Sequence, residues 1–492
     1  MTTHPIQLPR DAQAATSREL RKLLERLWAS EPSLRPNPDM HDYQLTYPPA
    51  VQIQTPRHRG APTPEQFRKL AVGDFRAAGY YFHFGFCVYR CRYCFHYELT
   101  TKRSAPGGGD RMARYVDALI REMRTFKSQN PDLRAGLYFL GGGTPTALPT
   151  NLIERFLTNL IDILGPVPTS LSTVESKPIT ATREKLELLR NAGFRRINFG
   201  VQTLNPELYA FHHHDEDVRV ALDAITRARE LGFDYVNIDL MIGIERQTRT
   251  SWRTTLAALE KLIDKGAVDS VFIYPYHDDP RSRTYGHADA LPPFHEVAFS
   301  EASARAMLER KGWKELGARF WRSPRHVRRE LFELAKTRIN PAYGEVLYHG
   351  FGNSSFSIGD RATYVNHRNL EEYCTAVEAG GLGIGHWLEI DDAQRATRDV
   401  TFDLLYSPVT RVRSREHKYG REAMVRHREL LERWVELGLG RWNRLAGTFA
   451  LTGLGKLVHQ QMIPRHYLER DWGEFAGVMN ARRELGRRYR GY

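Results

Sequence analysis

Between about residues 78 and 290 the chain alternates short apolar runs with longer stretches of helical period. The runs are 79–84, 137–140, 170–175, 196–200, 235–240 and 270–274, each of strand length. Between them, apolar residues recur at i, i+3, i+4. In 112–126 these are Tyr115, Val116, Leu119, Ile120, Met123 and Phe126, and similar periods run through 150–164, 182–192, 219–231 and 250–264. Gly193 and Gly232 stand where helices stop. Six strands alternating with five helices predict right-handed βαβ units and a parallel sheet, closed or half-closed into a barrel. Near-continuous apolar strands suit burial on both faces.

The flanks read differently. Residues 1–75 carry several prolines, one short helical pattern from Arg18 to Leu27, and otherwise an extended lead-in that wraps another domain. After about 290 the alternation stops. Helical patterns fall at 297–311 and 325–337, followed by a Gly-rich segment, 350–359. From 399 onward the pattern is mostly helical. Residues 420–437 are strongly amphipathic, and 438–462 predict a helix-and-hairpin module like a winged helix. The expected division is an N-terminal extension over 1–75, a barrel over 76–295, a barrel extension over 296–398 and a helical C-terminal domain over 399–492. The fold class is α/β, a partial (β/α)6 barrel of TIM type.

In such barrels chemistry sits at the C-terminal strand ends, and notable polar residues fall there. The first strand leads into Cys87-Val-Tyr-Arg-Cys91-Arg-Tyr-Cys94. The second leads into Gly141–Thr144, the third ends on Glu175, the fourth precedes Gln202, and the fifth carries Asp239. Three cysteines in C-x3-C-x2-C spacing are ligands for three irons of a [4Fe–4S] cubane, which leaves one iron open. An open iron can chelate S-adenosylmethionine (SAM) and pass an electron to its sulfonium. A zinc site would take four ligands, often as two separated pairs, and no second pair exists. The fourth cysteine, Cys374, lies far along the chain and reads as a small buried apolar residue.

Composition narrows the picture. The 492 residues are 41% apolar and 26% charged, a globular mix. Their number calls for two or three domains. No apolar run reaches membrane-spanning length and the first ten residues lack a signal-peptide core, so a cytoplasmic location is expected. The net charge of +13 is spread over the surface with clusters at Arg319–Arg329 and Arg482–Arg490. That suits an acidic small-molecule or carrier-bound substrate. The charge forms no stripe interleaved with aromatics, so nucleic acid is not expected.

The run Tyr81-Phe-His-Phe-Gly-Phe-Cys87, the cysteine spacing and Tyr93 resemble radical SAM enzymes of the oxygen-independent coproporphyrinogen III oxidase (HemN-like) family. The resemblance continues through Tyr43–Pro48, Gly141-Gly-Gly-Thr-Pro-Thr146, Glu175, Gly193-Phe-Arg-Arg, Gly200-Val-Gln202, Asn237-Ile-Asp239-Leu and Gln247-Thr248, in the family's order. It implies that Cys87, Cys91 and Cys94 hold a [4Fe–4S] cluster. It also implies SAM contacts from Tyr81, Tyr93, Gly142, Gly143, Thr144, Glu175, Gln202, Asp239 and Phe356, with Tyr81 and Glu175 nearest the chemistry. Glycines at 141–143 would let backbone N–H groups approach the ligand's amino-acid end. A flavodoxin- or ferredoxin-type electron donor and a monomeric state follow from the same resemblance.

Some family members hold a second SAM, and the resemblance places further contacts at His277 and His214. Where the family usually has Arg, this chain has His214 in the run Phe211-His212-His213-His214, and imidazole grips a carboxylate less firmly than guanidinium. Consecutive histidines do not face one point, so the run is not expected to bind metal. Two further departures bear on function. The place of the family's heme motif reads Ile339-Asn340-Pro-Ala-Tyr343-Gly344, without the axial His, and Phe95-His96 follow the cysteines where porphyrinogen oxidases usually have a further Cys. The resemblance therefore implies a HemN-like radical SAM enzyme with a specialised substrate, with methylation or cyclopropanation of an sp2 carbon expected ahead of coproporphyrinogen decarboxylation or heme transfer.

Overall fold

A computed structural model describes residues 16–36, 47–49, 53–94, 99–100, 108–276, 278–279, 282–284, 286–316, 319–326, 347–407 and 409–471. The six expected strands form: β1 (Ala77–Phe84), β2 (Arg134–Gly142), β3 (Thr173–Ser176), β4 (Arg196–Gln202), β5 (Tyr235–Ile242) and β6 (Ser270–Pro275). All six are parallel and pair in chain order. A helix follows each of the first five: α2 (Gly108–Gln129), α3 (Thr150–Leu164), α4 (Arg183–Asn191), α6 (Arg219–Glu230) and α7 (Arg249–Asp264). Between β4 and α6 a short extra helix, α5 (Pro206–His212), carries the histidine run.

The alternation along each strand sorts the faces. On β4, Ile197, Phe199 and Val201 are fully buried in the layer shared with the helices. The intervening Asn198, Gly200 and Gln202 face the barrel interior with Asn237 and Asp239 of β5. Polar residues on the inner face of an otherwise apolar parallel sheet mark a functional lumen.

The sheet does not end with six strands. Among the described residues it has twelve, and β1 lies inside it. Strand β8 (Leu347–Phe351) pairs parallel with β1, Tyr81 standing opposite Gly350. Beyond it β9 (Phe356–Ile358), β10 (Ala362–Asn366) and β11 (Ile384–Glu389) continue antiparallel. At the other edge β7 (Phe320–Arg322) runs antiparallel to β6 and pairs with the two-residue strand Lys314–Glu315. The Gly-rich segment thus forms sheet. Periodicity missed it because these strands are short and punctuated by glycine. Phe82 and Phe351 stack at 5.0 Å across the β1–β8 seam.

A second core gathers the chain's ends. Helix α1 (Ser17–Ser30) starts in a capping box, Thr16 with Glu19, and buries Leu20, Leu23, Leu24 and Leu27. These pack with α8 (Phe294–Arg310), α9 (Asp392–Tyr406), α10 (Arg421–Glu436), the hairpin Gly440–Asn443/Thr448–Leu451 and α11 (Gly453–Met462). The hairpin lies inside the stretch 438–462, as its pattern predicted. The lead-in is tied down by Ser17 donating to Glu296 and Arg465 donating to the Ser33 carbonyl. The predicted helix over 325–337 falls mostly outside the described residues. None of the helices described is long and apolar enough to cross a membrane.

At the N-terminal end of β6, opposite the site, Asp269 is 1% exposed. It accepts from the Val236 N–H at 2.9 Å, from His326 at 2.8 Å, and from Arg229 and Arg325. Burial alone would raise its carboxyl, but His326, Arg229, the Val236 N–H and Arg325 outweigh that and hold it at about 2. A carboxyl depressed in the fold stabilises it above the unfolded value near 4, and that contribution fades as pH falls toward 2. Asp269→Asn removes the anion of the partly buried Arg229 and the half-exposed Arg325 and is expected to cost about 1–3 kcal/mol. Urea denaturation at pH 7 reads this as a lowered midpoint, and an unchanged midpoint would contradict it.

Candidate functional site

The mouth of the barrel is built from strand ends that approach too closely for side chains. A Cβ on Gly141 would lie 2.6 Å from Glu175 Oε2, and one on Gly142 would lie 2.7 Å from His83 Nδ1. One on Gly143 would lie 2.7 Å from the carbonyl oxygens of both Phe84 and Phe86. Gly142 also has φ +102, a conformation that glycine adopts without penalty. The Gly143 and Thr144 N–H groups donate to the Phe84 and Phe86 carbonyls at 2.7 and 2.8 Å. The glycine turn is therefore stitched to the segment that runs straight into Cys87.

That segment carries the three cysteines. Cys87 and Cys91 are buried and Cys94 is partly exposed. Cys87 Sγ lies 3.0 Å from Thr144 Oγ1, which joins the cysteine loop to the glycine turn by a side chain as well. The Cys94 N–H donates to the Cys91 carbonyl. Among the described residues no three Cys, His, Asp or Glu side chains are gathered at metal-binding distance. Tyr93 Oη is 3.4 Å from His213 Nε2, and burial together with the neighbouring Cys91 pushes its phenol well up.

Glu175 accepts from the Gly142 N–H at 3.3 Å. Tyr81 is half-buried, and its Oη lies 3.0 Å from His83 Nδ1. Burial lowers His83 to about 4, so the ring is neutral at pH 7 and offers one donor and one acceptor. Gln202 has φ 67 and sits at a bulge in the β4–β5 pairing. Gly200 leaves room for its amide, Nε2 lying 3.1 Å from where a Cβ would stand. A non-glycine residue held there is a local strain of the kind found at working sites.

Asp239 accepts from Asn198 Nδ2 at 2.8 Å and from Asn237 Nδ2 at 3.1 Å. Burial pushes its carboxyl up to about 7, with the two amides and Arg196 pulling the other way. Asn198 and Asn237 were not singled out by sequence. Both lie on the interior-facing alternation with Asp239, which is the signal that finds them. Tyr348 was missed too. It stacks on Tyr81 with ring centres 6.1 Å apart, and burial, then Glu175 and Tyr406, hold its phenol protonated.

Not every expected residue joins this group. His214 is exposed, and its Nε2 donates to the Arg90 carbonyl at 2.6 Å, bracing the cysteine loop from outside. The three histidines turn to three different carbonyls: His212 to Glu245, His213 to Tyr209 and His214 to Arg90. Phe356 lies on β9, half-buried and one strand removed from β1. His277, the segment 43–46, Phe95 with His96, and the stretch 339–344 lie outside the described residues.

Comparison with known proteins agrees with this geometry. Residues 81–259 match the family model of the Radical SAM superfamily. The "Heme chaperone HemW" of Bacillus subtilis (strain 168) is 35% identical over 175 residues, covering 34% of this chain and 43% of that protein. The "Oxygen-independent coproporphyrinogen III oxidase" of Escherichia coli (strain K12) is 24% identical over 75% of this chain and 84% of that protein. The chain spans about half or less of the first curated relatives it matches, from 42% to 50% of their length. Among solved structures, the coproporphyrinogen III oxidase (HemN) from Escherichia coli, described as a radical SAM enzyme, superposes with a TM-score of 0.72. It is 21% identical and covers 86% of this chain and 96% of that one.

The cofactors of this superfamily are a [4Fe–4S] cluster and SAM, and the residues fit both. Three thiols of one loop supply the donor set. The glycine turn, with no room for a Cβ, packs directly against Glu175 and the segment leading into Cys87. Its N–H groups at 142–144 are spent on that packing rather than left for a ligand as expected, so its carbonyl oxygens and Glu175 are what it offers to an ammonium group. Residues 81–259 match the radical SAM superfamily, and the chain as a whole is similar to HemN-like proteins of that superfamily.

Proposed function

We propose that this protein cleaves SAM reductively at the mouth of its barrel, with a second SAM as one-carbon donor for methylation or cyclopropanation of an sp2 carbon. The observation that carries the first part is the junction of cysteine loop and glycine turn, made by Cys87 with Thr144 and by Gly143 with Phe84. Cys87, Cys91 and Cys94 would hold the cluster. When bound, cluster and SAM together supply a 5′-deoxyadenosyl radical for hydrogen abstraction.

The chain's own residues have distinct tasks in this reading. The N–H groups of Gly142, Gly143 and Thr144 are engaged within the protein, so this turn offers carbonyl oxygens, and these with the Glu175 carboxylate accept from the ammonium group of SAM. Gln202 and Asp239 face the rest of the ligand from the strand ends. Tyr81 and Tyr348 form an aromatic wall that orients the reacting group and excludes water. A flavodoxin- or ferredoxin-type protein is the electron donor. Gln202 and Asp239, standing in the mouth, support the second SAM, whereas His214, engaged with Arg90, does not contribute to it.

A second reading is coproporphyrinogen III decarboxylation. Relatives of that name align over most of this chain, 75% and 84% of it, and a +13 chain suits a tetracarboxylate. Heme transfer, the role named for the HemW relatives, is tested by heme titration, where a Soret shift is not expected.

Two outcomes check the proposal. With SAM deuterated in its methyl group, the reconstituted protein and its substrate are expected to give deuterated 5′-deoxyadenosine and S-adenosylhomocysteine. Unlabelled 5′-deoxyadenosine with no S-adenosylhomocysteine overturns the two-SAM step, and protoporphyrinogen formed from coproporphyrinogen supports the second reading instead. Asp239 gives a pH signature. Its carboxyl loses its proton as pH rises through about 7 and becomes a full acceptor, so the Kd for SAM falls between about pH 6 and 8. In Asp239→Asn that step is expected to vanish. A wild-type Kd flat across this range would count against Asp239 as a SAM contact.

A further inference from the structure

Glu122 is an acid in the middle of α2, between the buried Leu119 and Met123, and it is 0% exposed. No cation pairs with it among the described residues. It accepts instead from three donors: the Gly352 N–H at 2.9 Å, Asn366 Nδ2 at 2.8 Å and Tyr373 Oη at 2.6 Å. Asn366 Nδ2 also donates to the Gly352 carbonyl at 3.0 Å. Both sides of the residue at 352 are thus gripped, the N–H directly and the carbonyl through Asn366.

Gly352 is where the Gly-rich segment touches the site. Its φ is +95, and a Cβ there would meet Tyr115 Oη and lie 2.7 Å from the His83 carbonyl. Tyr115 Oη itself donates to that carbonyl. The next residue, Asn353, fills the space beside Gly85, with Oδ1 3.1 Å from where a Cβ would stand. His83 and Gly85 are the last residues before the cysteine loop, and the His83 ring abuts Gly142. A buried acid costs several kcal/mol to leave without partners, so three donors on one carboxyl fix the turn firmly.

We infer that Glu122 is a positioning residue for the SAM cradle, acting through Gly352 to set the height of His83–Gly85 against Gly142. This rests on the SAM-cleavage reading above. Burial pushes the Glu122 carboxyl up to about 8, with Tyr373, the Gly352 N–H and Asn366 pulling it down. Glu122→Gln keeps the shape but turns its amide N–H groups toward a donor, Asn366 Nδ2 on one side or the Gly352 N–H on the other, so it keeps only part of the grip. Glu122→Ala removes the grip on Gly352 altogether.

The test uses the anaerobically reconstituted full chain and measures the Kd for SAM by equilibrium dialysis, iron per chain and melting temperature. E122A is expected to keep its iron and to weaken SAM binding tenfold or more. E122Q, which keeps one accepting oxygen, is expected to bind SAM more tightly than E122A and more weakly than wild type. Asn366→Ala, which frees the Gly352 carbonyl and removes one donor from Glu122 but leaves the Glu122 bond to the Gly352 N–H, weakens binding threefold or more and serves where E122A does not fold. Variants that melt earlier but hold the wild-type Kd within twofold overturn the inference and leave Glu122 a purely structural acid. Wild-type protein that binds no SAM overturns the reading beneath it, a result that the variants cannot mimic.

Discussion

One steric constraint organises this molecule: at residues 141–143 there is no room for a Cβ. Glu175, His83 and the carbonyls of Phe84 and Phe86 each stand within 2.7 Å of where one would be. Three glycines let the end of β2 close onto the ends of β1 and β3. That closure brings Thr144 to Cys87 and the Gly142 N–H to Glu175. The N–H groups of Gly142, Gly143 and Thr144 are all spent on this closure, so the turn is rigid before any ligand arrives.

The barrel exists to hold that contact. Its outer faces are apolar on both strand and helix, which makes the parallel sheet rigid. Its inner face carries the polar set Asn198, Asn237 and Asp239, each hydrogen-bonded to another member. The shared burial raises Asp239 toward neutrality of charge near pH 7, so the lumen tolerates it without a direct ion pair. At the opposite end of the barrel Asp269 takes the reverse solution, gathering cations and staying ionised. The two acids stand at opposite ends of the barrel, Asp239 toward the C-terminal strand ends where such barrels place chemistry and Asp269 at the N-terminal ends.

Much of this was legible in the sequence. The period of α3 matched its span, Thr150–Leu164, and Cys87, Glu175, Gln202 and Asp239 were found from the polar residues at the C-terminal end of each apolar run. The features that escaped were non-local. Strand β8 has five residues and owes its place to pairing with β1, which lies far back in the sequence, so no period announces it. Glu122 looks like an error in an amphipathic helix until Gly352 and Asn366 arrive from more than 200 residues away. His214 was read as a ligand contact because position in a motif was all that could be seen; its bond to the Arg90 carbonyl depends on how α5 meets the cysteine loop.

The central claim is that cysteine loop and glycine turn form a single SAM-cleaving site. The direct measurement is the electron paramagnetic resonance spectrum of the reduced, reconstituted cluster, with and without SAM, for wild type and for Gly143→Ala. Wild type is expected to change its spectrum on adding SAM and to release 5′-deoxyadenosine. Gly143→Ala, whose new methyl meets the Phe84 and Phe86 carbonyls, is expected to keep its iron yet lose both the spectral change and the product. A Gly143→Ala protein that responds to SAM as wild type does would contradict the account.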